Sequence, residues 1–462
     1  MGQVGAHCGS RKQSVGRMSQ NIDVAALIDG AAWTTYQKLM TALAALAVIF
    51  DGFDIQILAF AMPSLIKEWH ATRSDFGPVL AIGLAGMVIG GPLAGYIGDR
   101  FGRRPALIGS VVVFGLATIA TASVQGIIGL AIFRFITGLG AGGAVPNASA
   151  LTAEFAPLRR RPMAVKLTVV CIPLGGMLGG LIAARILPVY GWRTLYMIGG
   201  VTPILLAVLL LWALPESPRF LARRTDLRSQ LIKLLTRMGH SLPAGVTFAE
   251  GSQQVSAERA SLRSLFGMGL AHDTAGLWFA YFFCLGAIYL VFGWLPAMLT
   301  AQGLDVASAS SALAIYNFGG VLGVLLYTLL MTMLGSRGPL LFGSLAAAAS
   351  ALVMLLIPIS AHANATLFLA FLGLNGLLAN AVQTSMYALA AHVYPTSVRA
   401  TGVAYAAAIG RVGALVSSFF GAAIIQSGSS AYWYALAICM VCTFFGLAWV
   451  RQHFQAVGAT TE

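Results

Sequence analysis

Apolar runs of about 20 residues, the length that crosses a hydrocarbon core as a helix, recur along this chain with short polar breaks between them. They fall near 39–62, 76–98, 105–123, 126–150, 163–187, 194–214, 273–297, 309–331, 339–359, 364–390, 402–426 and 431–450. The pattern predicts an all-α membrane protein with twelve transmembrane helices in two pseudo-symmetric six-helix bundles. The break after the sixth run is the long one. It sets out a tail over 1–38, a bundle over 39–215, a linker over 216–272, a second bundle over 273–451 and a tail over 452–462. At an offset of 238 residues Pro157 aligns with Pro395, Glu154 with His392, Arg161 with Arg399 and Gly175 with Gly413. Two parallel repeats of this kind put a binding site near the membrane midplane, at their interface.

Composition agrees with the pattern. Of 462 residues, 58% are hydrophobic and only 9% charged, where a soluble domain carries about a quarter charged. The net charge of +13 would suggest an acidic partner in a soluble protein, but its placement gives it another meaning. Of the 28 lysines and arginines, twenty-two fall in segments that share a side with both termini, from Arg11, Lys12 and Arg17 through Arg259 and Arg263 to Arg451. Four, Lys67, Arg73, Arg185 and Arg193, fall on the other side. This asymmetry puts both termini in the cytoplasm of a multi-pass protein of the bacterial inner membrane and leaves no case for nucleic acid. Residues 1–35 hold no apolar core with a cleavage site, so no signal peptide is expected, and Met18 is a second candidate start. Cys439 and Cys442 lie in the last apolar run with no His or carboxylate near in sequence, which favours packing over metal or redox work. His272 and His392 have no ligand cluster. No phosphate-binding loop of the G-x-x-x-x-G-K-[ST] kind occurs, and no nucleophile and base are assembled, so neither a cofactor, a metal, ATP-driven work nor an enzyme is expected.

Two carboxylates interrupt the first apolar run. Asp51 and Asp54 lie in LAALAVIFDGFDIQILAFAMP (43–63). A carboxylate near the bilayer centre costs about 2.5–3.5 kcal/mol on insertion scales, and such residues mark proton or ion pathways. Three apart, the two share a helix face and oppose each other's ionisation, so at least one is expected to hold a proton near neutral pH. A purely structural pair is the competing reading. Arg134 and Arg411, the remaining two basic residues, sit inside apolar runs and need anionic partners, for which the first half offers Asp51, Asp54 and Glu154. The guanidinium fork matches a carboxylate in bidentate geometry. Arg411 is thus the favoured clamp for a substrate carboxylate, unless it snorkels to the nearer face. Arg134 is either a second substrate contact or the partner of a first-helix aspartate. Asp54 is the first choice for the proton, with Asp51 beside Arg134. Asn and Gln are costly toward lipid, so Gln56, Asn147, Asn317, Asn375, Asn380 and Gln383 are expected to face inward. Tyr316 and Tyr387 are expected there too, with Tyr289, Phe292 and Trp294 supplying apolar wall.

Residues 91–104 (GPLAGYIGDRFGRR) closely resemble the signature loop of the major facilitator superfamily. Physically, the glycines permit close helix approach, and Asp99 can accept from a facing helix N-terminus. Arg134–Gly143 (RFITGLGAGG) resembles that superfamily's fourth-helix motif, and Pro215–Phe220 (PESPRF) the block after its sixth helix in sugar and organic-acid branches. The second-half counterpart, Leu334–Gly338, lacks the acid and the basic pair. Asp51-Gly-Phe-Asp54 resembles the hallmark of the aromatic acid:proton symporter family within the superfamily, and Tyr394–Gly402 (YPTSVRATG) fits the same family. The resemblance implies a monomeric symporter in the lipid bilayer. Its partners are a small aromatic acid such as a hydroxybenzoate and H+, with the proton gradient as energy source. Asp51 and Asp54 couple protons. Arg411, Arg134, Gln56, Asn147, Tyr316, Asn317, Gln383 and Tyr387 bind substrate. Gly91, Gly95, Asp99, Arg100, Gly102, Arg103, Glu154 and Arg399 gate, with Glu154 a partner for Arg159–Arg161. A sugar or organic-cation porter, a drug exporter and a transporter-like sensor of aromatic acids are the alternatives.

Overall fold

The computed structural model describes residues 21–242, 247–248, 265–266, 269–357, 365–395 and 398–456. Arg11, Lys12, Arg17 and Met18 of the expected tail, Arg259 and Arg263 of the linker, and Thr396 and Ser397 lie outside the described residues. The long helices are α1 (Thr35–Trp69), α2 (Arg73–Phe101), α3 (Arg103–Thr121) and α4 (Ile127–Phe155). The stretch Arg161–Ala213 is broken at Gly191 (φ 75°, ψ 177°) into α5 (161–190) and α6 (192–213). The second half holds α7 (Ala271–Ala301), α8 (Val306–Leu334), α9 (Arg337–Leu356), α10 (Ala365–Val393), α11 (Arg399–Gln426) and α12 (Ser429–Trp449). All are long and apolar enough to cross a membrane, which makes this a multi-pass membrane protein with the expected twelve helices. The reversal at Gly191 needs a left-handed φ that glycine adopts freely. A capping box of Thr34 and Gln37 starts α1. A two-residue parallel pairing of Asn21–Ile22 with Thr247–Phe248 departs from the all-helical pattern.

The internal repeat has a packing meaning. Helices in lipid associate through small residues that let backbones touch, and the aligned glycines do this in both halves. Gly175 of α5 lies against the Ile49 backbone of α1, where a Cβ would overlap it, and Gly413 of α11 lies in the same way against Phe282 of α7. Gly52, between the two aspartates, completes the α1–α5 contact by meeting the Ile172 backbone. Likewise α2 packs on α4 through Gly86 and Gly138, and α8 on α10 through Gly319 and Gly376.

The halves meet through α5 with α8, α2 with α11 and α1 with α7. On the face away from the arginine-rich loops, Gln426 Nε2 donates to Ser74 Oγ at 2.9 Å and Gly77 packs on the Phe419 carbonyl. On the basic face no hydrogen bond or ion pair joins the halves among the described residues. The hydrogen bonds that join the halves among the described residues therefore lie at mid-depth and on the opposite face.

The C-terminal tail closes the end of the second half where the signature-loop charges are missing. The Ser336 N–H donates to the Phe454 carbonyl at 3.0 Å, the Phe454 N–H to Ser336 Oγ at 3.1 Å, and the Arg451 N–H to Asp273 Oδ1 at 2.5 Å. His453 Nδ1 lies 3.0 Å from Ser336 Oγ and Nε2 3.2 Å from the Leu447 carbonyl. Burial pushes the His453 imidazole below its ordinary value. The Leu447 carbonyl and Asp273 oppose the shift, while Arg337 and His392 add to it. The undocked tail then binds a proton more readily than the docked one, so the contribution of neutral His453 to docking is full above about pH 6.5 and declines as pH falls below it. Protease nicking of the tail in purified protein should accelerate at low pH relative to His453→Asn; the same pH dependence in both proteins would contradict this.

Candidate functional site

Asp51 and Asp54 are both buried in α1, yet their surroundings differ. Asp54 is provided for. Thr118 of α3 donates to Oδ1 at 2.8 Å, and Arg134 of α4 places Nη1 3.5 Å from Oδ2 and 3.1 Å from the Asp54 carbonyl. The Tyr196 hydroxyl of α6 is buried beside this pair without a partner, and Arg134 Nε also lacks one. Asp51 is not provided for: among the described residues neither carboxylate oxygen has a hydrogen-bond partner, and Arg411 is within electrostatic range. The expected pairing of Arg134 with Asp51 is thus replaced by one with Asp54. Position explains the exchange, since Asp54 lies one helical turn farther along α1, where it meets α3 and α4.

A small cavity, part of it open to solvent, lies between the halves. Asp54 and Arg134 sit at its polar end with Ser418 of α11. Tyr289 and Phe292 of α7 and Leu80, Leu84 and Met87 of α2 form its apolar wall. Arg411 is partly exposed and makes no ion pair or side-chain hydrogen bond among the described residues; its Nη1 would lie 3.9 Å from a Cβ built on Gly91. Tyr387 stands edge-on to Tyr281 at 5.4 Å and in range of Arg411. Tyr316 is edge-on to Phe292 at 6.1 Å, one layer behind the wall. Gln383 is half-buried and makes no side-chain hydrogen bond among the described residues.

Other expected contacts point elsewhere. Gln56 and Asn317 bond to each other. Asn147 spends its amide on the Ala94 and Gly143 carbonyls at 3.3 and 2.9 Å, joining α4 to α2. Asn375 bonds Ala347 and Ser350 of α9, Asn380 the Gly376 carbonyl of its own helix, and Trp294 the Ser418 carbonyl. The inward orientation of these amides is real, but helix packing takes up most of their polar atoms; Asn147 Oδ1 is buried without a partner among the described residues. Thr118, Tyr196 and Ser418 were not singled out from sequence. A hydroxyl residue in an apolar run carries no signal of its own, because it can bond its own preceding turn.

At the basic face Asp99 pairs with Arg103, one turn on, rather than with a helix N-terminus. Arg103 Nε stands 4.0 Å from Glu154, to which the Ser217 hydroxyl donates. Glu154 is therefore a partner of Arg103 and not of Arg159–Arg161; Arg161 pairs with Asp29 and donates to the Ala153 carbonyl. Glu216 accepts from the Arg104 N–H at 3.1 Å and lies against Gly102 (φ 114°), where a Cβ would overlap its carboxylate. Arg100 bonds Tyr96 at 2.8 Å, and Arg399 the Tyr394 carbonyl at 3.2 Å. A Cβ on Gly95 would meet nothing.

Known proteins place this arrangement. The sequence profile of the Major Facilitator Superfamily matches residues 44–371 and 277–459. A gallate transporter of Pseudomonas putida is 34% identical over 426 residues, 92% of each chain. The 4-hydroxybenzoate transporter PcaK of Acinetobacter baylyi is 34% identical over 421 residues, 90% of this chain and 91% of that one. The inward-open xylose transporter XylE from E. coli shares the fold, with a TM-score of 0.70 at 21% identity over 92% of this chain and 98% of that one. The chain belongs to the Major Facilitator Superfamily and, within it, to the aromatic acid transporter family, a family of transporters rather than enzymes.

The unlike surroundings of the aspartates predict unlike mutants. Arg134→Ala leaves Asp54 without its counter-charge and should lower stability by about 3–5 kcal/mol, with Asp54→Asn/Arg134→Gln recovering part of the loss. Asp51→Asn removes no ion pair and should stay within about 1 kcal/mol of the parent. Unfolding in detergent checks both; equal losses for Arg134→Ala and Asp51→Asn would contradict the assignment.

Proposed function

We propose that this protein imports small aromatic carboxylates, hydroxybenzoates among them, together with protons across the bacterial inner membrane. The observation that carries the reading is the division between a paired Asp54 and an unpartnered Asp51 beside a cavity with an aromatic wall. A buried acid without partners is retained in its neutral form, so Asp51 is the proton carrier, in place of the Asp54 expected from sequence. The relatives named for gallate, 4-hydroxybenzoate and benzoate transport support an aromatic acid as the cargo.

In this reading the basic face is cytoplasmic, the termini lie there, and the bundles 39–215 and 273–451, joined by the linker 216–272, rock about the site as a monomer. With the outer side open, a protonated Asp51 lets an anion settle against Arg411 without facing a second negative charge. Its ring lies along Tyr289 and Phe292. Inward opening releases the acid, and Asp51, now in range of Arg411 alone, gives up its proton. Moving one charge against an inside-negative potential costs about 2.3 kcal/mol per 100 mV, and one accompanying proton cancels that cost. No cofactor enters the cycle; the proton gradient drives it. The loop of Gly91, Gly95, Asp99, Arg100, Gly102 and Arg103, with Glu154, and Arg399 in the second half, gates the basic side.

Uptake of radiolabelled 4-hydroxybenzoate, gallate, benzoate, xylose and an organic cation into proteoliposomes tests this. Aromatic acids alone should accumulate, and only with a proton gradient acid outside. Asp51→Asn should abolish accumulation while leaving exchange of internal for external substrate, and Arg411→Lys should weaken apparent affinity about tenfold or more, the loss of one charge-assisted bond. Uptake indifferent to the gradient, or intact accumulation by Asp51→Asn, would overturn the reading.

A further inference from the structure

Gln56 of α1 and Asn317 of α8 form a reciprocal pair across the two halves. Gln56 Nε2 donates to Asn317 Oδ1 at 3.1 Å, and Asn317 Nδ2 donates to Gln56 Oε1 at 2.7 Å. Asn317 Nδ2 also donates to the Leu313 carbonyl of its own helix at 2.8 Å. Both side chains are fully buried, and neither keeps an unpartnered polar atom. Gly176 of α5 covers them, and a Cβ there would overlap Gln56 Nε2 and stand 2.7 Å from Asn317 Oδ1. Three helices thus converge on one amide pair with no space for a ligand.

Its position gives the pair a task. Gln56 lies thirteen residues, roughly 20 Å, from the outer end of α1 at Trp69, and Asn317 eleven residues, roughly 17 Å, from the outer end of α8 at Val306. The pair is thus at one depth in both halves, level with Tyr289 of the cavity wall and two residues from Asp54. Outward of it, Gly180 of α5 packs on Ser310 and Ala314 of α8, so the same seam continues to the outer surface. Among the described residues one other hydrogen bond crosses the halves, the exposed Gln426–Ser74 contact, where water competes on equal terms.

We infer that Gln56 and Asn317 are the outer clasp of the transport path: they hold the inward-facing state closed on its outer side and do not bind substrate. The inference rests on the reading that the protein alternates access. For the outer side to open, α1 and α8 must part, and water then takes over both amides. Buried amides that exchange partners in this way contribute little net free energy each, which suits a contact that must break in every cycle. A charged pair at this depth would hold too tightly, and an apolar pair would not fix the register of α1 on α8.

The test reads the clasp without substrate or gradient, so it stands apart from the identity of the cargo. Ser310, buried in the α5–α8 seam, is replaced by Cys in a protein whose native cysteines are removed, and the rate of maleimide labelling is measured in proteoliposomes. Gln56→Leu and Asn317→Leu should each raise the rate about five- to thirtyfold, the effect of one or two hydrogen bonds on a two-state population. The double Leu variant should add little to either, since each single change breaks both bonds. The exchanged pair Gln56→Asn/Asn317→Gln, which keeps the combined side-chain length, should return the rate toward the parent. Gln56→Met and Asn317→Ala serve where a Leu variant does not fold. Unchanged labelling in folded variants, whether or not 4-hydroxybenzoate binding is lost, would overturn the clasp, and lost binding would assign the amides to the substrate site instead.

Discussion

A carboxylate inside a bilayer must be neutralised, paired or placed at water, and α1 carries two of them. The protein meets this constraint differently at each. Asp54 is held by Arg134 and Thr118, so three helices of the first half are tied to one carboxyl group. Asp51, a turn away, has no hydrogen-bond partner among the described residues. One acid is therefore part of the frame, and the other is the one we propose to change state. Acids in unlike surroundings divide in this way into a fixed charge and a proton carrier at acid–base sites in soluble enzymes.

The helix packing sustains that arrangement. Gly52 and Gly175 bring α1 onto α5, which turns the face bearing Asp54 toward α3 and α4. The second half repeats the contact with Gly413 on α7 but carries no acid in its first helix at matching depth. It contributes Arg411 and an aromatic wall. The repeat is thus symmetric in packing and divided in chemistry: the acids come from one half, and Arg411 and the aromatic wall from the other. Its loops on the basic face diverge as well. Asp99, Arg103 and Glu154 are assembled in the first half, whereas the C-terminal tail stands in at Ser336 in the second.

Much of this was legible in the amino-acid sequence. Twelve helices follow from apolar runs that lipid requires, and the Gly175–Gly413 alignment already marks the close contacts. Asp51, Asp54, Arg134 and Arg411 are conspicuous because charge in an apolar run is costly. Partner choice was not legible. Whether Arg134 meets Asp51 or Asp54 depends on the rotation of α1 against α4, which a three-residue spacing does not determine. The amides of Gln56, Asn147, Asn317 and Asn375 face inward as expected, but an inward amide satisfies itself on the nearest carbonyl or amide, and helix packing supplies one before a substrate does. Thr118 and the docked tail at Ser336 depend on contacts between elements distant in the chain, for which no local pattern exists.

The central claim is that one of the two acids holds a proton while its neighbour stays ionised, and infrared spectroscopy reads this directly. At neutral pH, difference spectra of the protein against Asp51→Asn should show a protonated-carboxyl stretch that belongs to Asp51, and the same band should persist in Asp54→Asn. A band absent from the parent, or one that disappears with Asp54 and survives the loss of Asp51, would contradict the account.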